Sequence, residues 1–139
     1  ATKVPTYSTS SIYSGSPNPA LDIDLNNITF CDIPWVFANK YTGVLSKEML
    51  SELWQPLPRK YLRLVALGID SFNIITHIAD LNTTPYEGAT GSLSINAENR
   101  VTRQLSCAKF VNGAPLLLNP VEILDTTDET MIYSDDFSQ

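Results

Sequence analysis

The sequence predicts an α/β fold, and three features predict it. A near-continuous apolar run, Ile28–Asp32 within "ITFCDIPWVF", has the character of a strand buried on both faces. Apolar residues then recur at helical spacing from Arg59 to Leu81. Short strands separated by turn residues follow from Ser92 onward.

The elements are legible in order. Residues 3–9, "KVPTYST", are β-rich, and Pro5 favours a strand start or an edge. Gly15, Pro17 and Pro19 break the next stretch into a loop. The Ile28–Asp32 strand ends near Pro34. Ser46 is an N-cap for a short helix over Lys47–Gln55, whose apolar stripe is Leu50, Leu53 and Trp54. Pro56 stops that helix, and Pro58 suits the first turn of the long helix over 59–81. Leu64, Gly68, Phe72, Ile75 and Ala79 share one face of the long helix, and Tyr61, Val65, Ile69, Ile74 and Ile78 widen it enough to predict heavy burial. Gly68 in mid-helix costs roughly 0.5–1 kcal/mol against Ala, which a close-packed sheet or helix would explain. Gly88 and Gly91 lead into a strand at Ser92–Ile95, "NAEN" turns the chain, and Arg100–Phe110 forms a second strand. Both faces of that second strand are mixed, so the hairpin sits at a margin or bridges two bodies. Asn112-Gly113 is a type I′ turn signal joining it to "APLLL".

The totals bound the class. The chain has 139 residues, 43% apolar and 17% charged, the balance of one globular domain. No apolar run approaches the ~20 residues of a membrane span. The first residues lack the apolar core of a signal peptide and read like a strand already under way, as in a piece of a longer chain or a mature product. The net charge is −6. Residues 1–117 hold nine Lys or Arg and nine Asp or Glu, so the imbalance lies in Glu122, Asp125, Asp128, Glu129, Asp135 and Asp136. A neutral body lacks the basic patch that nucleic acid needs. The acidic end, 119–139, repels itself and is expected to be a flexible tail. Cys31 and Cys107 are too far apart for a CxxC motif and sit in apolar, strand-like stretches. Two buried thiols and one bridge both fit; in the chain-entropy model the bridge adds roughly 4–5 kcal/mol.

Reactive chemistry is hard to find. His77 is the single histidine, and with no second one a zinc site built on imidazoles is excluded. There is no GxSxG, Walker lysine or GxGxxG. Asp22, Asp24 and Asn26 alternate like the start of a calcium loop, but Asn27 and Ile33 stand where its glycine and glutamate belong. Asp22, Asp24 and Asp32 read as solvated or capping carboxylates. No metal and no cofactor is expected. Ligands of open α/β sheets gather beyond strand ends. Ser8, Ser10, Tyr13 and Ser14, in "YSTSSIYSGS", are therefore candidates to line a cleft, against the plainer reading of a polar surface loop.

Four segments in this order carry a resemblance: "YSTSSIYSGSPNPALDIDLNNITFCDIPW", "LWQPLPRKYLRLVALGIDSFNII", "YEGATGSLSINAENRV" and "RQLSCAKFVNGAP". They resemble the C-terminal region of the LpoA/LppC family of outer-membrane lipoproteins, over residues 3 to about 118. The resemblance implies the closing part of a type I periplasmic-binding-protein-like domain, with two α/β lobes joined by strands that cross at a hinge. Residues 1–118 would be that part and 119–139 the tail. "KVPTYST" would belong to the second lobe's sheet, "ITFCDIPW" would cross back to the first lobe, and the C-terminal hairpin would cross the hinge again. Cys31 and Cys107 would then lie on neighbouring crossing strands, which favours the bridge. The family's helical-repeat domain, lipobox cysteine and first part of the binding-protein module have no counterpart in these residues, so the cleft is expected to be incomplete and anchoring to come from elsewhere.

The implied activity is not enzymatic. The family looks like a periplasmic regulator of peptidoglycan synthesis, tethered to the outer membrane by lipid. It binds a bifunctional class A penicillin-binding protein and activates its transpeptidase. The alternative is a periplasmic small-molecule binding module for an amino acid or a muropeptide.

Overall fold

The computed structural model describes residues 4–42, 44–54 and 59–119. The expected tail therefore falls outside the described residues, apart from Asn119.

Two sheets organise the chain. The first has the order β1-β2-β6-β7, from Thr6–Ser8 (β1), Ile28–Asp32 (β2), Ser106–Val111 (β6) and Ala114–Leu117 (β7). β1 runs parallel to β2, and the remaining pairs are antiparallel. The second has the order β3-β4-β5, from Tyr86–Glu87 (β3), Ser92–Ile95 (β4) and Val101–Gln104 (β5), and is antiparallel throughout. The strand expected over 100–110 is thus two strands in two sheets, parted at Leu105. Its mixed faces follow from this, because it serves two bodies. The helices are α1 (Pro19–Asp22), α2 (Lys47–Leu53) and α3 (Leu62–Asn73).

Local chemistry accounts for most boundaries. Ser46 caps α2 by accepting from the Met49 amide at 3.3 Å. Asn112 and Gly113 both have positive φ, as the type I′ turn requires. Pro19 opens α1, whose small size among proline breakers hid it from sequence.

The long helix is shorter than its periodicity predicts. α3 stops at Asn73, followed by a 3₁₀ turn at Ile74–Thr76. Ile74, Ile75 and Thr76 are β-branched and hold helix weakly. The Thr76 hydroxyl donates to the Asn73 carbonyl at 3.0 Å, and the His77 ring nitrogen lies 3.0 Å from the same oxygen. The buried face is only partly the expected one: Ile69 is buried and Val65 and Ile74 are half-buried, but the face named first is not. Leu62, Ala66, Ile69 and Asp70 are buried, whereas Leu64, Gly68, Phe72, Ile75 and Ala79 are exposed. Nothing lies within 4 Å of a Cβ built on Gly68, so no close neighbour among the described residues explains that glycine.

The core lies against the first sheet. Phe30 and Phe110 stack at 5.1 Å between centroids, and Tyr13 and Phe37 join them. Ile33, Trp35, Val36, Leu62, Ala66, Ile69, Ala89 and Ala108 complete the cluster.

Candidate functional site

Three of the four sequence segments singled out above meet through two buried carboxylates, and the fourth joins them by pairing with β2. Asp32, at the end of β2, is 2% exposed. It receives Arg63 from the first turn of α3 in a two-point pair, Nη2 to Oδ2 at 2.5 Å and Nε to Oδ1 at 3.1 Å. Arg63 Nη2 also donates to the Ser10 and Tyr13 carbonyls, at 2.8 and 3.1 Å. One guanidinium thus ties the "YSTSSIYSGS" loop, the strand end and the helix start together. Arg is suited to this because its planar fork meets several acceptors at once.

Asp70, in the second half of α3, does the same for the next segment. Its carboxylate accepts from the Ala89 and Thr90 amides, both at 2.7 Å, and from the Thr90 hydroxyl at 2.5 Å. A Cβ on Gly88 would come within 2.6 Å of Asp70 Oδ2, so "GAT" must begin with glycine. The Ala89 carbonyl then accepts from the Trp35 amide at 3.0 Å, and Trp35 Nε1 donates to the Leu45 carbonyl at 2.9 Å. Lys47 donates to the Gly15 and Val36 carbonyls and closes the ring of contacts.

The candidate cleft residues divide. Tyr13 is not at a cleft surface; it is 3% exposed in the aromatic core. Burial, then the charges of Asp22 and Asp32, push its phenol up to about 12. Ser8 is exposed on β1, and Ser14 donates to the Ser16 carbonyl at 3.0 Å. Ser10 contributes a backbone oxygen to Arg63. Cys31 and Cys107 stand opposite each other across β2 and β6 and are joined by a disulfide. His77 is exposed and lies against the Tyr86 ring at 4.6 Å.

The concave space lies elsewhere. A cavity of about 550 Å³ opens between the two sheets, and a second of about 420 Å³ adjoins the α3 C-terminus. Lys40, Tyr41 and Glu87 line both. Glu87 accepts from the Ser92 hydroxyl at 2.6 Å and forms no ion pair with Lys40. Burial, then the charges of Tyr86 and Asp70, raise the Tyr41 phenol. Sequence reading missed this trio because Glu87 on β3 lies far along the chain from the adjacent Lys40 and Tyr41 and meets them only in the fold.

Among the described residues, no group of three or more His, Cys, Asp or Glu is placed to hold a metal ion, and no helix is long and apolar enough to cross a membrane. Both buried carboxylates are used up in joining segments. The fold and the site therefore define an α/β scaffold in which the two buried carboxylates serve to join segments.

The family model described as "LppC putative lipoprotein" matches residues 1–113, and the chain belongs to that family. The penicillin-binding protein activator LpoA of Edwardsiella piscicida is 27% identical over 117 residues, covering 78% of this chain and 16% of that protein. The chain therefore spans about a sixth of that curated relative. Full-length LpoA from Haemophilus influenzae shares the fold with a TM-score of 0.65 at 22% identity, over 83% of this chain and 22% of that one. Its separate C-domain, described as a regulator of PBP1A, gives a TM-score of 0.61 at 23% identity, over 81% of this chain and 36% of that one. A structure described as a "putative branched-chain amino acid ABC transporter" from Chromobacterium violaceum gives a TM-score of 0.53 at 26% identity, over 77% of this chain and 34% of that one. The chain is similar to part of each, and the α/β, binding-protein-like fold class holds.

Proposed function

We propose that this chain is part of a non-enzymatic regulator of peptidoglycan synthesis, acting in the periplasm within a protein tethered to the outer membrane by lipid. Its partner is a bifunctional class A penicillin-binding protein, and its effect is to activate the transpeptidase. The observation that carries this reading is family membership over residues 1–113, together with relatives named as penicillin-binding protein activators. The interior agrees with it: the buried Asp32 and Asp70 hold segments together, and among the described residues no other buried acid or base stands free for chemistry. The test is reconstitution. Cross-linking by a purified class A synthase is measured with and without the protein containing this chain. A rise in cross-linking with saturable binding is expected. Unchanged cross-linking and no binding would end the proposal.

A second reading is a small-molecule binding module, favoured by Lys40 and Glu87, opposite charges that line two adjoining cavities. Ser8, Ser10 and Ser14 would be a separate polar rim. Titration calorimetry with zwitterionic amino acids and short peptides discriminates the two. Saturable heat that disappears in Lys40→Ala supports this reading, and absence of heat rejects it.

A further inference from the structure

Asn112-Gly113 is the only Asn-Gly pair in the sequence. Such a pair is the most labile dipeptide toward deamidation, because glycine places no side chain in the way of its own nitrogen. The Gly113 nitrogen attacks Asn112 Cγ once its proton is lost to water or hydroxide. The new N–Cγ bond closes a succinimide ring, the bond from Cγ to the side-chain nitrogen breaks, and ammonia leaves. Water then opens the ring at either carbonyl. One opening gives aspartate, and the other gives isoaspartate, whose backbone is longer by one carbon. Asn112 is exposed, so water reaches its side chain. The pair forms the tight turn between β6 and β7, with φ of 51° at Asn112 and 71° at Gly113.

This turn is held from the other end of the chain. The Gly113 amide, the attacking group itself, donates to Asn26 Oδ1 at 3.0 Å. Gly113 is buried, and a Cβ on it would come within 2.6 Å of the Pro19 carbonyl oxygen. The neighbouring Asn27 amide donates to the Phe110 carbonyl at 2.9 Å, and Val111 pairs with Ala114 across the turn. Ring closure needs the opposite of this arrangement. The peptide between Asn112 and Gly113 must rotate its nitrogen toward Cγ and surrender its proton. A nitrogen bonded to an acceptor and packed against Pro19 is free to do neither. We propose that Asn112 is a deamidation site and that Asn26 is its guard. The modification is confined to molecules in which the Asn26–Gly113 contact has opened. Its product ends the hairpin, because loop length fixes strand register and isoaspartate adds an atom to a two-residue loop. The inference rests on this turn alone and is independent of any contact with a synthase.

The test incubates the 139-residue chain in mildly alkaline buffer. Aspartate and isoaspartate at position 112 are followed by peptide mass spectrometry and by methylation with an isoaspartyl methyltransferase. A synthetic peptide spanning 108–117 supplies the unguarded rate. The folded chain should react more slowly than the peptide, on the order of tenfold or more. Asn26→Ala should speed the reaction at 112 by up to about tenfold, the worth of one hydrogen bond. Asn26→Asp keeps an acceptor for the Gly113 amide and should leave the rate near that of the unsubstituted chain. Asp70→Ala destabilises the chain without touching Asn26, so it separates guarding from general loosening; it should leave the rate at 112 unchanged. Equal rates in chain and peptide overturn the proposal. So does an Asn26→Ala chain no faster than the unsubstituted one. Acceleration by Asp70→Ala as great as that by Asn26→Ala also overturns it, since protection would then come from the fold at large.

Discussion

The two sheets are held in opposite ways. The four-stranded sheet is secured by many overlapping contacts: the Tyr13, Phe30, Phe37 and Phe110 rings, a covalent link between β2 and β6, and the Gly113 amide donating to Asn26 Oδ1 at 3.0 Å. The three-stranded sheet has β5 exposed at every position. It is keyed to α3 mainly by one carboxylate, Asp70, with Leu81 and Leu93 buried beneath it. Aromatic packing spreads load over many atoms, whereas a polar key concentrates it at one residue. Damage to the first should be global, and damage to the second local.

Phe110→Ala should therefore have the largest effect. It opens a cavity at a 1% exposed position and should cost about 3–5 kcal/mol, lowering the Tm of the whole chain in calorimetry. Asp70→Ala comes next, at about 2–4 kcal/mol, because it strands the Ala89 and Thr90 amides. Hydrogen exchange should show its effect concentrated at 86–104, with Phe30 and Phe110 amides far less affected; a uniform loss of protection would erase the contrast. Gly68→Ala should stabilise the isolated chain by roughly 0.5–1 kcal/mol, since its outward Cβ meets nothing. The effect of Tyr13 is nil at neutral pH and appears only in alkali. Its phenol rises from 10.0 to about 12. The folded chain then holds a proton that the unfolded chain releases, so this contribution is intact below pH 10.0 and is lost as pH climbs to about 12. Tyr13→Phe should flatten the fall of Tm over that interval, and an unaltered slope would place the titration elsewhere.

Sequence showed what is local. Ile28–Asp32 and Ser92–Ile95 have the predicted bounds because strand pattern and flanking turns lie within a few residues. The Asn112-Gly113 turn and the Ser46 cap are chemistry of adjacent residues. The buried side of α3 was not legible, because both of its sides are apolar and periodicity alone gives no preference. Asp32 reads as an ordinary solvated carboxylate, since its partner lies 31 residues away at Arg63. Asp70 left a usable trace: an acid placed within "LGIDSF", among residues that otherwise bury, calls for a buried partner. The Lys40–Glu87 cavity left none, because its lining is assembled from four separate stretches of chain.

The Cys31–Cys107 link joins residues 76 apart, and both remaining sheet strands, the three-stranded sheet, α2 and α3 depart from and return to that one junction or flank it. Everything from Asp32 to Ser106 is in effect a closed lasso. A protease that nicks the exposed tip at 97–99 should yield a product that still migrates as one species on a denaturing gel. Only after dithiothreitol should it part into two bands, so an oxidising compartment would keep a clipped molecule whole.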